Sequence, residues 1–361
     1  MRIVSIVGAR PEFIQVAPLC WALQGSEHEH VVVHTGQHYD RLMSDVFFAD
    51  LRLPAPGVML GVGSGSHGVQ TGRILAELDP VLAELAPDWV VVFGDTNSTI
   101  AGALSAVKMH LPVAHIEAGL RSFNRVMPEE INRIMTDHAA DVLFAPTEGA
   151  VRQLASEGLA ERTHLVGDIK TEVTYAVRDL VAGRRLQLPE GVSPDEPFLV
   201  ATLHRAENTD DPQRLAGLVE GLARAPHPVA LLVHPRLRDR CAALGIDLHQ
   251  GALRPGEPLD YPSMVAAVIG SVGVVTDSGG LQKEAFLLQR QCTTVRTETE
   301  WVETVDLGWN VLCPDPADLP KLLERAVPEP STAHPYGTGD TAQQIVDVLS
   351  RLSPSAPHPG S

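Results

Sequence analysis

Residues 88–110 read DWVVVFGDTNSTIAGALSAVKMH and contain in one stretch the pattern that recurs along the chain. The first half is a continuous apolar, β-branched run that ends at Gly94 and Asp95, as is typical of a parallel strand buried on both faces. The second half has apolar residues at intervals of three and four, which predicts an amphipathic helix. Polar residues therefore stand where a buried strand gives way to a helix.

The same alternation of strand and helix patterns extends over most of the sequence. It predicts an α/β fold made of doubly wound parallel sheets, in which ligands bind beyond the carboxyl ends of the strands. Polar residues at those ends are therefore candidate site residues. The predicted strands are RIVSIVG, HVVVHTG, DWVVVFGD, PVAHIEAG and DVLFAPT in the first half and FLVATLH, HPVALLVH, GVVTDSGG and QCTTVR in the second.

The length predicts two domains, because 361 residues exceed the ~250–300 at which one hydrophobic core usually splits. The stretch VAGRRLQLPEGVSPDEP is rich in Pro, Gly and charge, as is typical of a connection. We expect two Rossmann-like domains that face a cleft. The predicted boundaries are 1–168 for the first domain, 169–335 for the second, 336–352 for a C-terminal helix that packs back on the first domain, and 353–361 for a disordered tail.

Composition and charge argue against several classes of partner. The net charge of −17 disfavours nonspecific binding to nucleic acid or to an acidic membrane, because both require a basic surface. The four cysteines are scattered without a CxxC pair, so neither a zinc site nor a disulfide scaffold is indicated. No apolar run approaches the ~18 residues of a membrane span, and the run after Met1 is too short for a signal peptide. We expect a cytoplasmic protein.

Five predicted strands end in residues that are unusual for packing alone. These ends are GARPE, TGQHYD, GDTNST, IEAGLRS and TDSGG. For any single end, capping and turn formation explain the residues as well as function does. That explanation weakens when Arg10, His38, Asp95 and Glu117 all stand at strand ends, since they are poor choices for structure alone.

TDSGGLQKEA, residues 276–285, is the clearest phosphate-binding signal. Gly279 and Gly280 follow a strand and open a helix, so that backbone N–H groups at the helix start can meet phosphate oxygens. The segment matches neither the Walker loop nor the GxGxxG fingerprint. Glu284, one turn into the helix, could accept hydrogen bonds from ribose hydroxyls or could be a solvated carboxylate.

Two other segments have a structural explanation beside a functional one. His204 and Arg205 begin HRAEN at a strand end; a lone histidine there is more often a turn residue, but beside an arginine it could be a donor to a diphosphate. A helix is predicted from Pro128, and Glu129 and Glu130 lie in its first turn, where carboxylates also stabilise helices. Its expected buried face consists of Ile131, Ile134, Met135 and His138.

Together these segments resemble the nonhydrolysing UDP-N-acetylglucosamine 2-epimerase family. The motifs that carry the resemblance, in order over nearly the whole chain, are GARPE, TGQH, GDTNSTIAG, IEAGLR, MPEEINR, HRAEN and TDSGGLQKEA. GALSAVK, AGLRSF, HRAENTD and RTETEWVETVDLGWN are most similar to the branch that includes UDP-2,3-diacetamido-uronic acid 2-epimerases. Trp301 and Val302 stand where the better-studied branch usually has Arg-Pro.

The resemblance implies a fold like that of B-type glycosyltransferases, with a UDP-sugar bound mainly by the second domain, and a homodimer. It implies inversion at C2 of the sugar without a nicotinamide cofactor or a metal. The C2 proton can leave only as the C1–O bond to UDP breaks, which gives a glycal and UDP. UDP then adds to C1 again as C2 is protonated from the other face. Such a route needs acids and bases on both faces of the sugar and cations beside the departing diphosphate.

The resemblance also assigns roles to residues. The implied catalytic residues are Asp95, Glu117, Glu129 and His204. The implied substrate-binding residues are Arg10, Gln15, Arg133, Arg205, Ser278, Gly279, Gly280, Glu284 and Arg296. Some members bind a second substrate molecule as an activator, and the candidate regulatory residues here are Gln37, His38 and Arg73; hydrogen bonding within the protein explains these three equally well.

Two positions depart from the family pattern. Gln15 stands where the family commonly has lysine, and an amide can donate hydrogen bonds but carries no charge. Lys170, in VGDIKTE, could restore a positive charge. The alternatives to UDP-N-acetylglucosamine epimerisation are epimerisation of a UDP-2,3-diacetamido-uronic acid, a hydrolysing 2-epimerase, a B-type glycosyltransferase and a noncatalytic nucleotide-sugar sensor. The presence of Asp95, Glu117 and Glu129 together favours elimination chemistry over glycosyl transfer.

Overall fold

The computed structural model describes residues 1–37 and 55–352, apart from the side chain of Arg10. Two compact units make up the chain: Met1–Val173 with His334–Ser361, and Thr174–Ala333. Each contains one parallel sheet. None of the helices within the described residues has the length and apolar content needed to cross a bilayer.

The first unit is built on a seven-stranded parallel sheet of order β3-β2-β1-β4-β5-β6-β7. Its strands are β1 (Arg2–Val7), β2 (Glu29–His34), β3 (Val58–Met59), β4 (Trp89–Phe93), β5 (Val113–Ile116), β6 (Val142–Ala145) and β7 (Thr163–Leu165). Its helices are α1 (Arg10–Leu23), α2 (His67–Leu85), α3 (Asn97–Lys108), α4 (Pro128–Ala139), α5 (Glu148–Ser156) and α14 (Thr341–Arg351), with a 3-10 turn at Ala160–Arg162.

Packing in this unit follows the sequence pattern quoted above. Every residue of β4 is buried, since neighbouring strands pair on both edges and helices cover the sheet. The helix α2 buries Ile74, Leu78 and Leu82 at intervals of four residues. Thr96 begins α3 by accepting hydrogen bonds from the N–H groups of Ser98 and Thr99. The polar end of β4 is thereby fixed at the start of α3.

The second unit has a six-stranded parallel sheet of order β10-β9-β8-β11-β12-β13. Its strands are β8 (Leu199–Thr202), β9 (Val229–Leu232), β10 (Leu253–Gly256), β11 (Gly273–Thr276), β12 (Gln291–Thr294) and β13 (Asn310–Leu312). Its helices are α7 (Ala206–Thr209), α8 (Pro212–Ala223), α9 (Pro235–Leu244), α10 (Tyr261–Gly270), α11 (Gly279–Leu287), α12 (Val302–Asp306) and α13 (Leu319–Leu323), with a 3-10 turn at Pro316–Asp318.

The helix α6 (Lys170–Leu180) ends directly before VAGRRLQLPEGVSPDEP, the stretch that the sequence predicted to be a connection. This helix begins in the first unit and ends in the second, because the boundary between the units falls after Val173. The predicted boundary was after Asp168. The C-terminal helix α14 belongs to the first unit and packs against α1. Glu172 of α6 accepts a hydrogen bond from the N–H of Ala342 in α14. The start of α6 is therefore held within the first unit.

The prediction of the buried face of α4 was wrong. Met135 and His138 are exposed, and the residues that α4 buries are Glu130, Thr136 and Asp137. The apolar periodicity indicated the opposite face because the inward side chains are polar. Glu130 and Asp137 can be buried because hydrogen bonds and ion pairs replace the water that they lose.

Candidate active site

Asp95 lies in the turn between β4 and α3. Its carboxylate is ion-paired with the guanidinium of Arg133 from α4. Burial raises the pKa of Asp95 above its ordinary value, and the Arg133 charge opposes that rise. The negative charge of Glu117 raises the pKa of Asp95 as well, so these two carboxylates are close enough to interact. Asp95 still exposes 32% of its side chain and is therefore accessible.

Glu117 follows β5 and is held by two donors. Its backbone has φ of 73°, in the left-handed region that non-glycine residues rarely adopt. Lys170 Nζ lies 2.7 Å from Glu117 Oε1, and Gln15 donates a hydrogen bond to Oε2. Both carboxylate oxygens are thus occupied in a side chain that is only 13% exposed. The two donors thus fix the position of the Glu117 carboxylate.

Lys170 supplies the cation that Gln15 cannot. Although burial favours its neutral form, the charges of Glu117, Asp168 and Asp95 together raise the pKa of Lys170 above its ordinary range. Gln15 is buried on α1 and contributes an N–H without charge. The sequence hypothesis that Lys170 restores a positive charge therefore has a structural counterpart, the ion pair with Glu117.

The helix α4 presents one face to the Asp95 turn. Asn132 Nδ2 donates to the Asp95 carbonyl oxygen at 3.0 Å, and Arg133 binds the Asp95 carboxylate. Glu129 is half-buried and precedes these residues by three and four positions, so it lies on the same face of the helix. This spacing directs Glu129 towards the side of α4 that meets Asp95.

Glu130 has a structural role that distinguishes it from Glu129. It is buried and accepts hydrogen bonds from Ser122 N and Oγ, each at 2.9 Å, and from Phe123 N at 2.8 Å. Although burial favours the neutral form, these hydrogen bonds lower the pKa of Glu130. Glu130 therefore fixes the loop that follows β5, and Glu129 is the candidate for chemistry.

Glu12 is a second structural carboxylate near the site. It is buried, accepts from the N–H groups of Gly8 and Ala9, and accepts from the hydroxyls of Thr96 and Thr99. Burial raises its pKa to about 7. Glu12 thus connects the end of β1 to the start of α3. The side chain of Arg10, a predicted substrate-binding residue, lies outside the described structure.

The candidate regulatory residues do not form one group among the described residues. His38 lies outside them. Gln37 is buried, and its Oε1 accepts from Ser98 N at 2.9 Å and Ser98 Oγ at 2.7 Å, which accounts for its presence structurally. Arg73 is exposed on α2. A regulatory function for these three residues stays a prediction.

In the second unit, Asp277 organises the HRAEN turn. It is fully buried and accepts from His204 N and Arg205 N, each at 2.9 Å, and from Asn208 Nδ2 at 3.0 Å. His204 Nδ1 lies 2.9 Å from its other oxygen. Although burial favours the neutral form, these donors lower the pKa of Asp277. Sequence reasoning missed this residue, although its position directly before Ser-Gly-Gly at a strand end was a usable signal.

The start of α11 combines open backbone with two arginines. Apart from the neighbouring backbone of α11 itself, no heavy atom of the described residues lies within 4 Å of where a Cβ on Gly280 would be, so a ligand can approach this peptide closely. Glu300, which sequence reasoning also missed, lies 2.7 Å from Arg296 Nη1 and 3.8 Å from Arg205 Nη2. Its carboxylate is adjacent to Gly279. The two guanidiniums and the N-terminus of α11, which begins directly after Ser278, form a site where an anion would be stabilised.

Glu284 is a half-buried residue of α11 rather than a solvated one. It forms a hydrogen bond with the hydroxyl of Tyr261, which also lies 3.3 Å from Thr174 Oγ1. On the same helix, the ammonium of buried Lys283 lies 4.5 Å from the ring centre of Trp301. This cation–π contact gives Trp301 a structural role at one of the positions that distinguish the branches of the family.

Comparison with known proteins identifies the family of this chain. Residues 22–350 match the family model for UDP-N-acetylglucosamine 2-epimerase. The chain belongs to this family. An epimerase relative from Pseudomonas aeruginosa, named UDP-2,3-diacetamido-2,3-dideoxy-D-glucuronate 2-epimerase, is 42% identical over 98% of this chain and 100% of its own length.

Solved structures extend the match to the fold. The crystal structure of the UDP-GlcNAc 2-epimerase of Methanocaldococcus jannaschii with UDP-GlcNAc and UDP has a TM-score of 0.81 and 36% identity, over 97% of this chain and 100% of that one. The calicheamicin glycosyltransferase CalG4, at 15% identity and a TM-score of 0.53 over 98% and 95%, shares the fold alone. The predicted family, its class of enzyme and the B-type glycosyltransferase fold are confirmed.

Proposed function

We propose that this member of the epimerase family inverts C2 of a UDP-N-acetylhexosamine, of the type that interconverts UDP-N-acetylglucosamine and UDP-N-acetylmannosamine. The observation that supports it best is the pair Asp95 and Glu117. Two interacting carboxylates have different surroundings, since the pKa of Asp95 is raised by burial while Glu117 is held between Lys170 and Gln15. Such divergence is typical of groups that share acid and base duties.

The chemistry follows from these surroundings. A carboxylate takes the C2 proton while the C1–O bond to the β-phosphate breaks, so the electron pair of the C2–H bond forms the C1–C2 double bond of the glycal. In the reverse sense, an acid returns a proton to the other face of C2 as a UDP oxygen bonds C1 again. Asp95, Glu117 and Glu129 are the groups that we assign to these proton transfers.

The second unit is assigned to the UDP part of the substrate. The α11 N-terminus with Arg205 and Arg296 would bind the diphosphate, and His204, held by Asp277, would donate to it. The half-buried Glu284 would accept hydrogen bonds from the ribose. The relative crystallised with UDP-GlcNAc and UDP supports this class of ligand.

An alternative substrate has an observation in its favour. The 42% identical relative is named for a UDP-2,3-diacetamido-uronic acid. A substrate of that kind carries a carboxylate, and Lys170 places a cation beside Glu117 that such a group could approach. Both candidate substrates therefore belong in the same experiment.

The test is incubation with UDP-N-acetylglucosamine, and separately with the diacetamido-uronate, in D₂O, followed by proton NMR and mass spectrometry. Deuterium at C2 of an intact mixture of epimers would support the proposal and identify the substrate. Release of UDP with a free 2-epimer would show hydrolysis, and transfer of the sugar to an added acceptor would show a glycosyltransferase. UDP binding without exchange for either sugar would contradict catalysis and favour a sensor.

We further propose that the protein acts as a homodimer in the cytoplasm. The segment before and within α4 exposes Phe123, Val126 and Met135, with exposed fractions of 75%, 91% and 47%. Exposed apolar side chains of this size favour association with another protein surface. Sedimentation of the purified protein should give twice the chain mass, and cell fractionation should recover it with soluble cytoplasmic markers. A monomer at all concentrations would contradict the first part.

A further inference from the structure

A chain of four charged residues lies behind the turns that carry Asp95 and Glu117. His115 Nδ1 is 2.7 Å from Asp137 Oδ1, Arg121 Nη1 is 2.7 Å from Asp137 Oδ2, and Arg121 Nη2 is 2.7 Å from Glu157 Oε2. His115 and Asp137 are completely buried, and Arg121 is nearly so. These side chains cannot contact a substrate.

The hydrogen-bond partners define the protonation of His115. Its Nε2 lies 2.7 Å from the carbonyl oxygen of Gly94, which can only accept. Its Nδ1 faces a carboxylate oxygen of Asp137, whose second oxygen accepts from Arg121 and from Gly119 N at 3.1 Å. Arg121 and the Gly119 N–H favour ionised Asp137, so both ring nitrogens of His115 must donate. With Arg121 and Glu157, the chain then holds two positive and two negative charges.

The other end of the chain is electrostatically consistent with this assignment. The hydrogen bond from Arg121 lowers the pKa of Glu157 to about 2. Although burial favours neutral Arg121, its pKa is raised by Glu157 and Asp137. A charge at any position of the chain is thus compensated by a neighbour, as buried charges require.

The chain is attached to both turns of the candidate active site. His115 holds the carbonyl of Gly94, the residue before Asp95, and Asp137 holds the N–H of Gly119, two residues after Glu117. Gly94 has φ of 58° and Gly119 of 85°, which glycine adopts without strain, so both turns can present these backbone groups to the chain.

We infer that doubly protonated His115, anchored by Asp137, is a positioning residue that sets the separation of the Asp95 and Glu117 carboxylates. The inference rests on the proposed function for its catalytic consequence. One ring nitrogen of His115 binds Gly94, and the other binds Asp137, which in turn binds Gly119, so the imidazole connects the two turns. Displacement of a reacting group by 1 Å can reduce a rate on the order of 10²-fold. The ring acts through Asp95 and Glu117 and not on the substrate.

The protonation state is tested on the wild-type protein without an activity assay. Proton–nitrogen correlation spectra of protein labelled with ¹⁵N-histidine at neutral pH should show one ring with two protonated nitrogens, which disappears in His115→Gln or His115→Asn. A His115 ring with one unprotonated nitrogen would overturn the inference. This measurement holds even if the wild type acts on neither UDP-sugar, so failure of the proposed function is distinguishable.

The positioning role is tested by two substitutions that each keep one hydrogen bond. In His115→Gln the amide nitrogen can replace Nε2 and hold Gly94, whereas in His115→Asn it can replace Nδ1 and hold only Asp137. We expect kcat for C2 exchange to fall about tenfold in His115→Gln and on the order of 10²-fold in His115→Asn, with KM changed less than about twofold in both. His164→Gln, on β7, serves as the matched control with unchanged kcat.

A purely structural ring predicts a different result. Both variants would then have lower melting temperatures, while kcat per folded molecule stayed equal to that of the wild type. Equal losses of kcat in the two variants, or losses confined to KM, would also contradict positioning through Gly94.

Discussion

The two units differ in how the charged residues of the candidate site are ion-paired. In the first, two of the three candidate catalytic carboxylates have their own cation within the unit, Arg133 for Asp95 and Lys170 for Glu117. These pairs are largely shielded from solvent, and buried hydrogen bonds fix the turns that carry them. The carboxylates are thereby held in position before any ligand binds.

In the second unit, two arginines share one carboxylate. Arg205 and Arg296 both approach Glu300, which is about half exposed and lies beside the start of α11. A diphosphate would compete with Glu300 for the same guanidiniums. From this difference we infer that the carboxylates assigned to proton transfer keep their ion-pair partners, whereas the arginines assigned to anion binding exchange Glu300 for the ligand.

The largest expected effect comes from removing a carboxylate of the first unit. Glu117→Gln should lower kcat for C2 exchange on the order of 10³-fold, because loss of one general acid or base typically costs 10²–10⁴-fold. UDP affinity, measured by calorimetry, should stay within about twofold because the groups assigned to UDP lie in the second unit. Asp179→Asn, at an exposed position of α6, is the control. Loss of UDP binding alongside the rate would break the contrast between the units.

Lys170 tests whether the cation beside Glu117 matters. Lys170→Met should lower kcat/KM about 10- to 100-fold, since Glu117 would lose its ion pair and keep only the uncharged Gln15 donor. Adding Gln15→Lys to this variant should recover part of the rate, because the charge returns to Glu117 from the other side. A double-mutant cycle on the two positions measures the coupling.

Two outcomes would contradict this prediction. Unchanged affinity and turnover in Lys170→Met would show that the positive charge is dispensable. Failure of Gln15→Lys to restore any activity, in a variant that folds normally, would show that Lys170 acts by something other than its charge on Glu117.

The second unit should respond to charge changes in UDP affinity. Arg296→Ala should weaken UDP binding about tenfold, as expected for loss of a hydrogen bond to a charged group. Glu300→Gln should strengthen it about two- to threefold, because the competing negative charge of a half-exposed carboxylate is removed. Titration calorimetry with UDP measures both, and Arg224→Ala on an exposed helix end is the control. Effects of the same sign in the two variants would refute competition between Glu300 and the diphosphate.

The last prediction concerns the pH dependence of stability and is expected to affect activity least. It compares two buried carboxylates whose pKa values are shifted in opposite directions. Burial raises the pKa of Glu12 to about 7 from 4.5, so its stabilising contribution is present below pH 4.5 and is lost as the pH rises to about 7. The lowered pKa of Asp277 has the opposite sign: its contribution is present above pH 3.8 and is lost on further acidification. Glu12→Gln should reduce the fall in unfolding free energy between pH 4.5 and 7, by on the order of 1–3 kcal/mol.

Urea unfolding at several pH values measures this change. Glu172, whose pKa burial also raises to about 7, should retain its share of the pH dependence in Glu12→Gln. A pH profile that is unaltered by the substitution would show that Glu12 does not titrate in this window.

Much of the fold could be predicted from local pattern. The strand β4 and the helix α3 follow from residues 88–110 alone, and α8 buries Leu215, Leu218 and Val219 as its periodicity predicts. These elements follow their sequences because each buries an apolar surface against the rest of its unit.

The site could be predicted as a set of residues but not as a set of contacts. Gln15, Glu117 and Lys170 are far apart in sequence, and no periodicity connects them. The buried face of α4 was mispredicted for a related reason, since Asp137 is buried by partners from β5 and the loop after it. Polar burial depends on tertiary partners, which a local hydrophobic pattern does not contain.

The backbone strain at Glu117 is offset by the contacts of its own side chain. A left-handed conformation at a non-glycine residue is strained by roughly 1–3 kcal/mol, and glycine would adopt the observed φ of 73° without that strain. Glu117→Gly would nevertheless remove the carboxylate that pairs with Lys170 and Gln15, and loss of one partner of a shielded ion pair costs about 3–5 kcal/mol. Laboratory evolution of this enzyme towards higher melting temperature would therefore keep residue 117 acidic even without a screen for turnover.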